Sequence, residues 1–350
     1  MAFLLALLFT FLAFVSLVVL IGLLLSTKAY KGPISDHFDG QKFINPSQIS
    51  AKGFKKVGSY IQTRKPDRWF DARSTPVNPD PIPAPDHPCQ IQYTFVNHST
   101  FLIQVDGINI LTDPIWSYRC SPFQFAGPHR WRPPGVKFDN LPEIHVVLLT
   151  HNHYDHMDAA TLKKIWKKWN PTAIVPLGLV PQVKKYGAKI IKELDWWQET
   201  NIEDLKITAT PANHFSSRGL FDRDKTLWCG YHLRSAAGSS IYYAGDTGYS
   251  PIFKEIGRRV GPMDLSFIPI GAYLPEWFMS PIHISPPQAV QVHQDVQSRK
   301  SVAMHFGTFP LADDNPERSK AALIASRTEA GLSAHDFSIP VEGETIRLRK

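Results

Sequence analysis

The chain has 350 residues, 43% of them hydrophobic and 20% charged, which are globular proportions. That length suits one large α/β domain with extensions. The formal charge is +7 and the pI about 9.2, but the charge lies beside one segment and not in an aromatic-interleaved patch, which argues against a nucleic-acid partner. Three cysteines (Cys89, Cys120, Cys229) are odd in number and widely spaced, so no disulfide framework is indicated.

From Phe3 to Leu25 there is no charge and almost no polar group. At about 1.5 Å per residue this stretch crosses a hydrocarbon core of about 30 Å. No Lys or Arg precedes Lys28, and no small-x-small cleavage site precedes Ser26, so a retained single-pass anchor (residues 1–27) is favoured over a cleaved signal peptide. Residues 28–75 carry ten Lys or Arg against four Asp, a net +6. The positive-inside rule then places the chain beyond the anchor on the cytoplasmic side, and such a segment also attracts anionic headgroups. Ser35 to Phe43 contains His37, Asp36 and Asp39, but their spacing is poor for metal and reads as a structured strap. Prolines 76, 79, 81, 83, 85 and 88 make residues 74–88 an extended linker. The division is therefore anchor (1–27), basic segment with Pro-rich strap (28–88) and catalytic domain (89–350).

Within that domain, short apolar runs bounded by Gly or Pro predict strands at 91–96, 101–105, 108–112, 144–150, 172–176, 207–211, 230–235, 240–245, 265–271 and 301–306. Helices are predicted at 159–169, 180–186, 286–297 and 316–330. The first has Leu162, Ile165, Trp166 and Trp169 on one face, lysines 163, 164, 167 and 168 mostly on the other, and Asp158 as its N-cap. Two packed sheets with helices outside accommodate this count.

The densest chemistry lies just after the strand at 144–150. His151-Asn152-His153-Tyr154-Asp155-His156 places three imidazoles and a carboxylate within six residues, ligand types that suit zinc and similar divalent metals. If extended, the stretch would turn His151, His153 and Asp155 to one face and His156 to another. Downstream, His214, Asp246 and His305 each stand at or just beyond the end of a strand, where scaffolds place functional loops.

His-x-His-x-Asp-His, then a distant His, an Asp in Gly245-Asp246-Thr247 and a last His together resemble the metallo-β-lactamase fold superfamily. Asn97-His98-Ser99-Thr100-Phe101-Leu102, Leu111-Thr112-Asp113-Pro114, Ala244-Gly245-Asp246-Thr247-Gly248-Tyr249 and His305-Phe306-Gly307-Thr308-Phe309-Pro310-Leu311 are similar to its N-acylphosphatidylethanolamine-hydrolysing phospholipase D-like branch, of bacterial type. The resemblance runs from about Pro88 to the C-terminus and implies an αββα sandwich behind the transmembrane helix. It implies two zinc ions (Zn2+) per chain. His151, His153 and His214 would hold one; Asp155, His156 and His305 the other; Asp246 would bridge them. Asp113 would buttress a ligand histidine. Asp155 and Asp246 would serve catalysis as well, with His283 as proton donor to the leaving group.

A dizinc site lowers the pKa of water to about 7, chemistry equally able in principle to cleave phosphodiesters, lactones, thioesters or β-lactams. The anchor, the family resembled and a loop set (Ile115, Trp116, Phe123, Phe125, Trp131, Leu274, Trp277, Phe278, Met279) favour a membrane phospholipid, cleaved to phosphatidate and an N-acylethanolamine. A hydrolase of another ester is the alternative; a non-catalytic scaffold and a nuclease are disfavoured. The expected setting is a bacterial inner membrane, with the lipid bilayer as partner, and a homodimer is compatible with the resemblance.

Overall fold

The computed structural model describes residues 2–49, 53–70, 72, 77, 81–85 and 91–348. The first helix, α1 (Ala2–Leu25), is apolar on every side. Along Phe3–Leu25 none of its most apolar stretch is buried against the protein. A helix apolar all round needs a membrane or a core, and this one reaches the core only at its end, where Gly22 is buried.

Two seven-stranded sheets form the domain. One contains β1 (Ile91–Asn97), β2 (Thr100–Val105), β3 (Ile108–Thr112), β4 (Val146–Leu148), β5 (Thr172–Pro176), β6 (Ile191–Leu194) and β14 (Thr345–Leu348), in the order β14-β1-β2-β3-β4-β5-β6. The other contains β7 (Glu199–Ile202), β8 (Leu205–Thr210), β9 (Gly230–Arg234), β10 (Ser240–Tyr243), β11 (Leu265–Pro269), β12 (Ser301–Met304) and β13 (Phe337–Ser338), in the order β13-β12-β11-β10-β9-β8-β7. Hairpin pairings are antiparallel, whereas β3-β4-β5-β6 and β10-β11-β12-β13 are parallel through crossover connections.

The main core joins Tyr93, Phe95, Phe101, Ile103 and Leu148 of the first sheet to Ile207, Tyr231, Ile241, Tyr243 and Phe267 of the second. The outer face of the first sheet packs on α3 (Ala159–Lys168) and α4 (Val180–Tyr186) through Leu162, Ile165, Trp166 and Val183. Phe253, Ile256, Val292 and Leu323 join the main core from α5 (Ile252–Val260), α7 (Pro286–Asp295) and α8 (Pro316–Glu329). The expected αββα sandwich is thus present. Asp158 caps α3 by accepting from the Ala160 N–H, and lysines 163, 164, 167 and 168 form its exposed face.

Several expectations need adjustment. The run at 144–150 contributes only Val146–Leu148 to the ladder, because the Thr150 N–H turns to the Asp113 carboxylate (2.8 Å) instead of a neighbouring strand. The sequence pattern did not show α2 (Phe54–Thr63), α5, α6 (Glu276–Met279) or strands β6, β7, β13 and β14. Ile115 and Met279, placed in the lipid-facing set, are buried in small clusters of their own. Phe123, Phe125 and Trp277 of that set are exposed.

The strap is packed: Phe38 and Phe43 pair in an isolated bridge and bury against Leu227 and Trp228. His37 lies between Asp36 (2.6 Å) and Asp195 (2.7 Å), whereas Asp39 accepts from the Gln41 and Lys42 N–H groups (both 2.7 Å), so the strap's acids serve an ion pair and a turn. Farther on, Arg64 pairs with Asp313 (3.0 Å) and Tyr60 stacks on Phe278 with ring centroids 4.5 Å apart. Cys120 and Cys229 are buried free thiols. Cys89 and most of the 74–88 linker lie outside the described residues, although the Pro83 carbonyl accepts from Gln92 (2.6 Å).

Candidate metal centre

The C-terminal ends of β4, β8, β10 and β12, with the turn joining β1 to β2, bring the polar residues together. Beyond β4 the chain is not extended through His156: the N–H groups of His156 and Met157 both donate to the His153 carbonyl (3.2 and 2.8 Å), closing a tight turn. The shared face expected of His151, His153 and Asp155 therefore breaks after His153. His151 and His153 join His214, whereas Asp155 joins His156 and His305.

Hydrogen bonds fix the tautomers of the first group. The Thr150 hydroxyl donates to Asp113 Oδ2 (2.8 Å), so it can only accept from His151 Nδ1 (2.9 Å). His214 Nδ1 is likewise the donor to the Ile282 carbonyl (2.9 Å). In a neutral ring both Nε2 atoms are then lone pairs, and both point at His153 Nδ1, from 2.8 and 3.2 Å. One N–H on His153 satisfies at most one of them, whereas a cation among the three nitrogens satisfies all. Burial holds His151 well below its ordinary pKa, His153 at about 4 and His214 at about 3, so the rings are neutral, as metal binding requires.

The second group is built around carboxylates. His156 Nδ1 donates to Asp113 Oδ2 (2.8 Å), a pair with no solvent exposure. Asp113 also accepts from Tyr243 Oη (3.0 Å) and the Thr150 N–H (2.8 Å). The expected buttress is therefore in place, on His156. The other ring nitrogen, Nε2, sits 3.3 Å from Asp155 and 3.2 Å from Asp246 without hydrogen-bond geometry, and is buried and unpartnered. His305 Nε2 lies 3.3 and 2.9 Å from the same two carboxylates and is also left unpartnered. Burial alone would lower these imidazoles, but Asp246 and Asp155 outweigh it, raising His156 well above its ordinary value and His305 to about 9. Burial likewise works against ionisation of Asp155 and Asp246, yet the facing imidazoles hold both well below the usual carboxylate range. This half of the site demands positive charge, which bound cations would supply.

Asp246 occupies the centre. Its Oδ2 faces His156, His305 and, at 3.7 Å, His214, while Oδ1 is buried and unpartnered. It thus touches both groups, as a bridging ligand would. Gly245 before it has φ +63°, and a Cβ there would stand 2.9 Å from the Cys229 carbonyl. His98, Asp113 and His305 have φ of +48°, +35° and +57°, costing about 1–3 kcal/mol each at left-handed non-glycine positions.

Two histidines complete the cluster. His283, between α6 and α7, approaches Asp246 at 4.0 Å and groups with His214 and Asp246 as a third set of ligand types. Its Nδ1 is buried and unpartnered. Sequence reasoning gave His98 no role, yet its Nε2 lies 3.0 Å from Asp155 Oδ2, and His98 groups with Asp155, His156 and His305. Burial brings it to about 4. Its signals were its place in the turn between two strands and in the matching segment Asn97–Leu102, neither of which assigned it a role.

Comparison with known proteins agrees with this geometry. Residues 108–306 match the Beta-lactamase superfamily domain. The chain belongs to the β-lactamase superfamily. Within it, the chain is 40% identical over 233 residues to N-acyl-phosphatidylethanolamine-hydrolyzing phospholipase D 1 of Caenorhabditis elegans, covering 62% of this chain and 64% of that one. An uncharacterised protein of Mycobacterium bovis is 38% identical over 282 residues, 78% of this chain and 74% of its own. The chain thus spans just under two thirds of the nematode relative. Among solved structures, Igni18, a metallo hydrolase of Ignicoccus hospitalis, superposes with a TM-score of 0.57 at 22% identity, covering 75% of this chain and 99% of that one, a likeness of fold. The superfamily membership and the clustered imidazoles and carboxylates make this a metal-dependent hydrolase of the β-lactamase fold.

Proposed function

We propose that the protein is a membrane-anchored phosphodiesterase of phospholipase D type, with two zinc ions per chain, that hydrolyses N-acylphosphatidylethanolamine to N-acylethanolamine and phosphatidate. The observation that carries this reading is a largely buried His/Asp cluster in a chain 40% identical to a nematode enzyme named for that reaction. His151, His153 and His214 would hold one ion, Asp155, His156 and His305 the other, with Asp246 between them, so that each of those imidazoles has a cation for its lone pair. Two bound cations would supply hydroxide from water and polarise the phosphoryl oxygens.

The chain's residues do the rest. Asp113 fixes the His156 ring, and Thr150 fixes His151. Asp155 and Asp246 hold the negative charge that retains cations in a dry site. His283 lies within reach of the same carboxylate and is proposed to protonate the departing oxygen. His283→Ala with full turnover and normal metal content would remove that role.

The lipid setting is supported by the fully apolar, unburied α1 and by its join to the domain. The Thr27 N–H donates to the buried Asp222 carboxylate (2.7 Å), and the Phe221 N–H donates to Ser26 Oγ (3.2 Å). A segment so integrated favours retention over cleavage. The basic flank favours a cytoplasm-facing domain at a bacterial inner membrane. A homodimer stays within the proposal, and nucleic acid stays outside it.

The deciding experiment offers N-acylphosphatidylethanolamine to full-length, detergent-solubilised, metal-quantified protein, with a His151→Ala, Asp246→Ala double variant as control. Product from wild type alone, with about two zinc per chain, is expected. Bound zinc without product shifts the substrate to another ester or phosphodiester. A chain that binds no metal overturns the site.

A further inference from the structure

A cavity of about 340 Å3 lies where the anchor meets the catalytic domain, separate from the metal centre. Its wall is the last turn of α1, with Leu24, Leu25 and Ser26; its other sides carry Lys163 of α3, Lys185 of α4 and Arg218. We infer that this cavity binds one anionic glycerophospholipid from the leaflet in which the anchor ends, a site distinct from that of the substrate.

The position of the cavity is fixed by close packing. A Cβ on Gly219 would stand 2.5 Å from the Gly22 carbonyl, and one on Gly22 would stand 2.7 Å from the Leu220 side chain. Two glycines therefore let the helix end lie directly on the 217–222 loop. The hydrogen bonds from the Thr27 and Phe221 N–H groups lock that contact. With α1 spanning a bilayer, Leu24 and Leu25 reach the edge of the acyl region, and the cavity beneath them sits at headgroup level. Leu220, Phe221, Phe123 and Phe125 are exposed; the first two flank the glycine contact, and Phe123 and Phe125 neighbour the cavity-lining Pro122 and Gln124.

Charge selects the class of lipid. Arg218 is 8% exposed. One guanidinium nitrogen donates to the carbonyls of Asn152 (2.7 Å) and Met157 (2.9 Å), and the group stacks 3.9 Å above the Tyr154 ring. Among the described residues no carboxylate lies within ion-pair distance of it. The one carboxylate of the cavity wall, Asp158, is engaged by the Ser117 hydroxyl (2.9 Å) and the Ala160 N–H (3.2 Å). Three cations against one occupied carboxylate leave the cavity positive, with apolar surface on the membrane side. A phosphodiester headgroup bearing net negative charge, its chains running along Leu24 and Leu25, matches both features; a zwitterionic lipid matches the apolar side alone.

The inference rests on residues 1–27 being retained in a bilayer and not on the substrate of the metal centre. The test uses the full chain in phosphatidylcholine nanodiscs, its intact mass first establishing that residues 1–27 are present. Native mass spectrometry then reads retention of phosphatidylglycerol against phosphatidylcholine, for wild type, for K163Q/K185Q at the cavity and for K164Q/K167Q on the outward face of α3. Wild type is expected to retain one phosphatidylglycerol in preference to phosphatidylcholine. K163Q/K185Q should weaken that retention by about thirtyfold, the effect of two juxtamembrane charges, and K164Q/K167Q should leave it unchanged. Equal retention of both lipids, equal loss in both double variants, displacement by inorganic phosphate alone, or a chain lacking residues 1–27 would each overturn the assignment. All four lysines are exposed, and matching melting temperatures verify that the variants fold.

Discussion

At the level of single residues, Asp113 makes the sharpest statement. It reads no substrate, yet its carboxylate holds His156 Nδ1, the Thr150 hydroxyl and N–H, and Tyr243 Oη at once. Asp113→Asn would replace one acceptor oxygen by a donor facing donors. Loss of such a partner typically costs 10–100-fold in metal affinity, and that range is expected here, read by competition with a chromophoric chelator while circular dichroism stays native. His98 should behave differently. It touches Asp155 only on the carboxylate side of the cluster, so His98→Ala should weaken one of two metal-binding phases and spare the His151/His153/His214 phase. Uniform loss of both would place His98 in general folding. The sequence disclosed the His151–His156 cluster because several ligand types crowd one loop. His98 stood in a matching segment but received no role, because a lone histidine in a turn has no density of ligand types around it and its partner, Asp155, is 57 residues away.

At the level of elements, legibility tracked burial. Strands buried along their length, such as β1, β5 and β12, show as apolar runs bounded by Gly or Pro. The edges β6, β7 and β14 are partly exposed, so their Lys, Glu, Thr and Asn look like loop. Helix α5 was hidden by Gly257, a poor helix former; a Cβ there would collide with the Asp295 carbonyl at the end of α7, so the glycine serves close packing. The strap carries a pH prediction. Burial lowers His37, but Asp195 and Asp36 outweigh it and leave its pKa raised. Its ring also stacks on Trp196, 4.4 Å between centroids. A group raised above its unfolded value of about 6.5 stabilises fully below that pH and loses the contribution as pH climbs through the folded value. The strap should therefore loosen on the alkaline side, with Trp196 emission and protease access to residues 35–43 changing together. His37→Gln should abolish that pH dependence. A pH-independent strap in wild type would show that Phe38 and Phe43 alone hold it.

At the level of the whole molecule, two features that never touch in sequence are joined in space: an apolar N-terminal helix and a metal loop more than a hundred residues away. The long apolar N-terminal helix and the αββα layering were legible from hydrophobic length and from alternating runs. The order of strands within each sheet was not, because non-local pairing leaves no periodic trace. One consequence of the joined architecture concerns metal removal. Without metal cations, the carboxylates of Asp155 and Asp246 keep only the protons of His156 and His305 as counter-charge, and the Nε2 lone pairs of His151 and His214 compete for one N–H on His153. Chelation should lower the melting temperature, the stability lost being set by metal concentration over its dissociation constant: about 4 kcal/mol at a thousandfold excess. Re-addition of zinc should restore it, and a melting temperature indifferent to chelator would mean that the cluster is structural without metal. The other consequence concerns orientation. If α1 is retained in a bilayer as proposed, the ten basic residues against four acidic ones in 28–75 would favour the cytoplasmic side for the chain beyond the helix. A green fluorescent protein fused after Lys350 should therefore fluoresce in a bacterial host, since that protein matures in the cytoplasm and fails to after export in unfolded form. Replacing Lys28, Lys31 and Lys42 by Glu while adding lysines ahead of Phe3 should reduce the fluorescence. If the native fusion is dark and an alkaline phosphatase fusion active, the domain faces the other side, and its lipids come from the opposite leaflet.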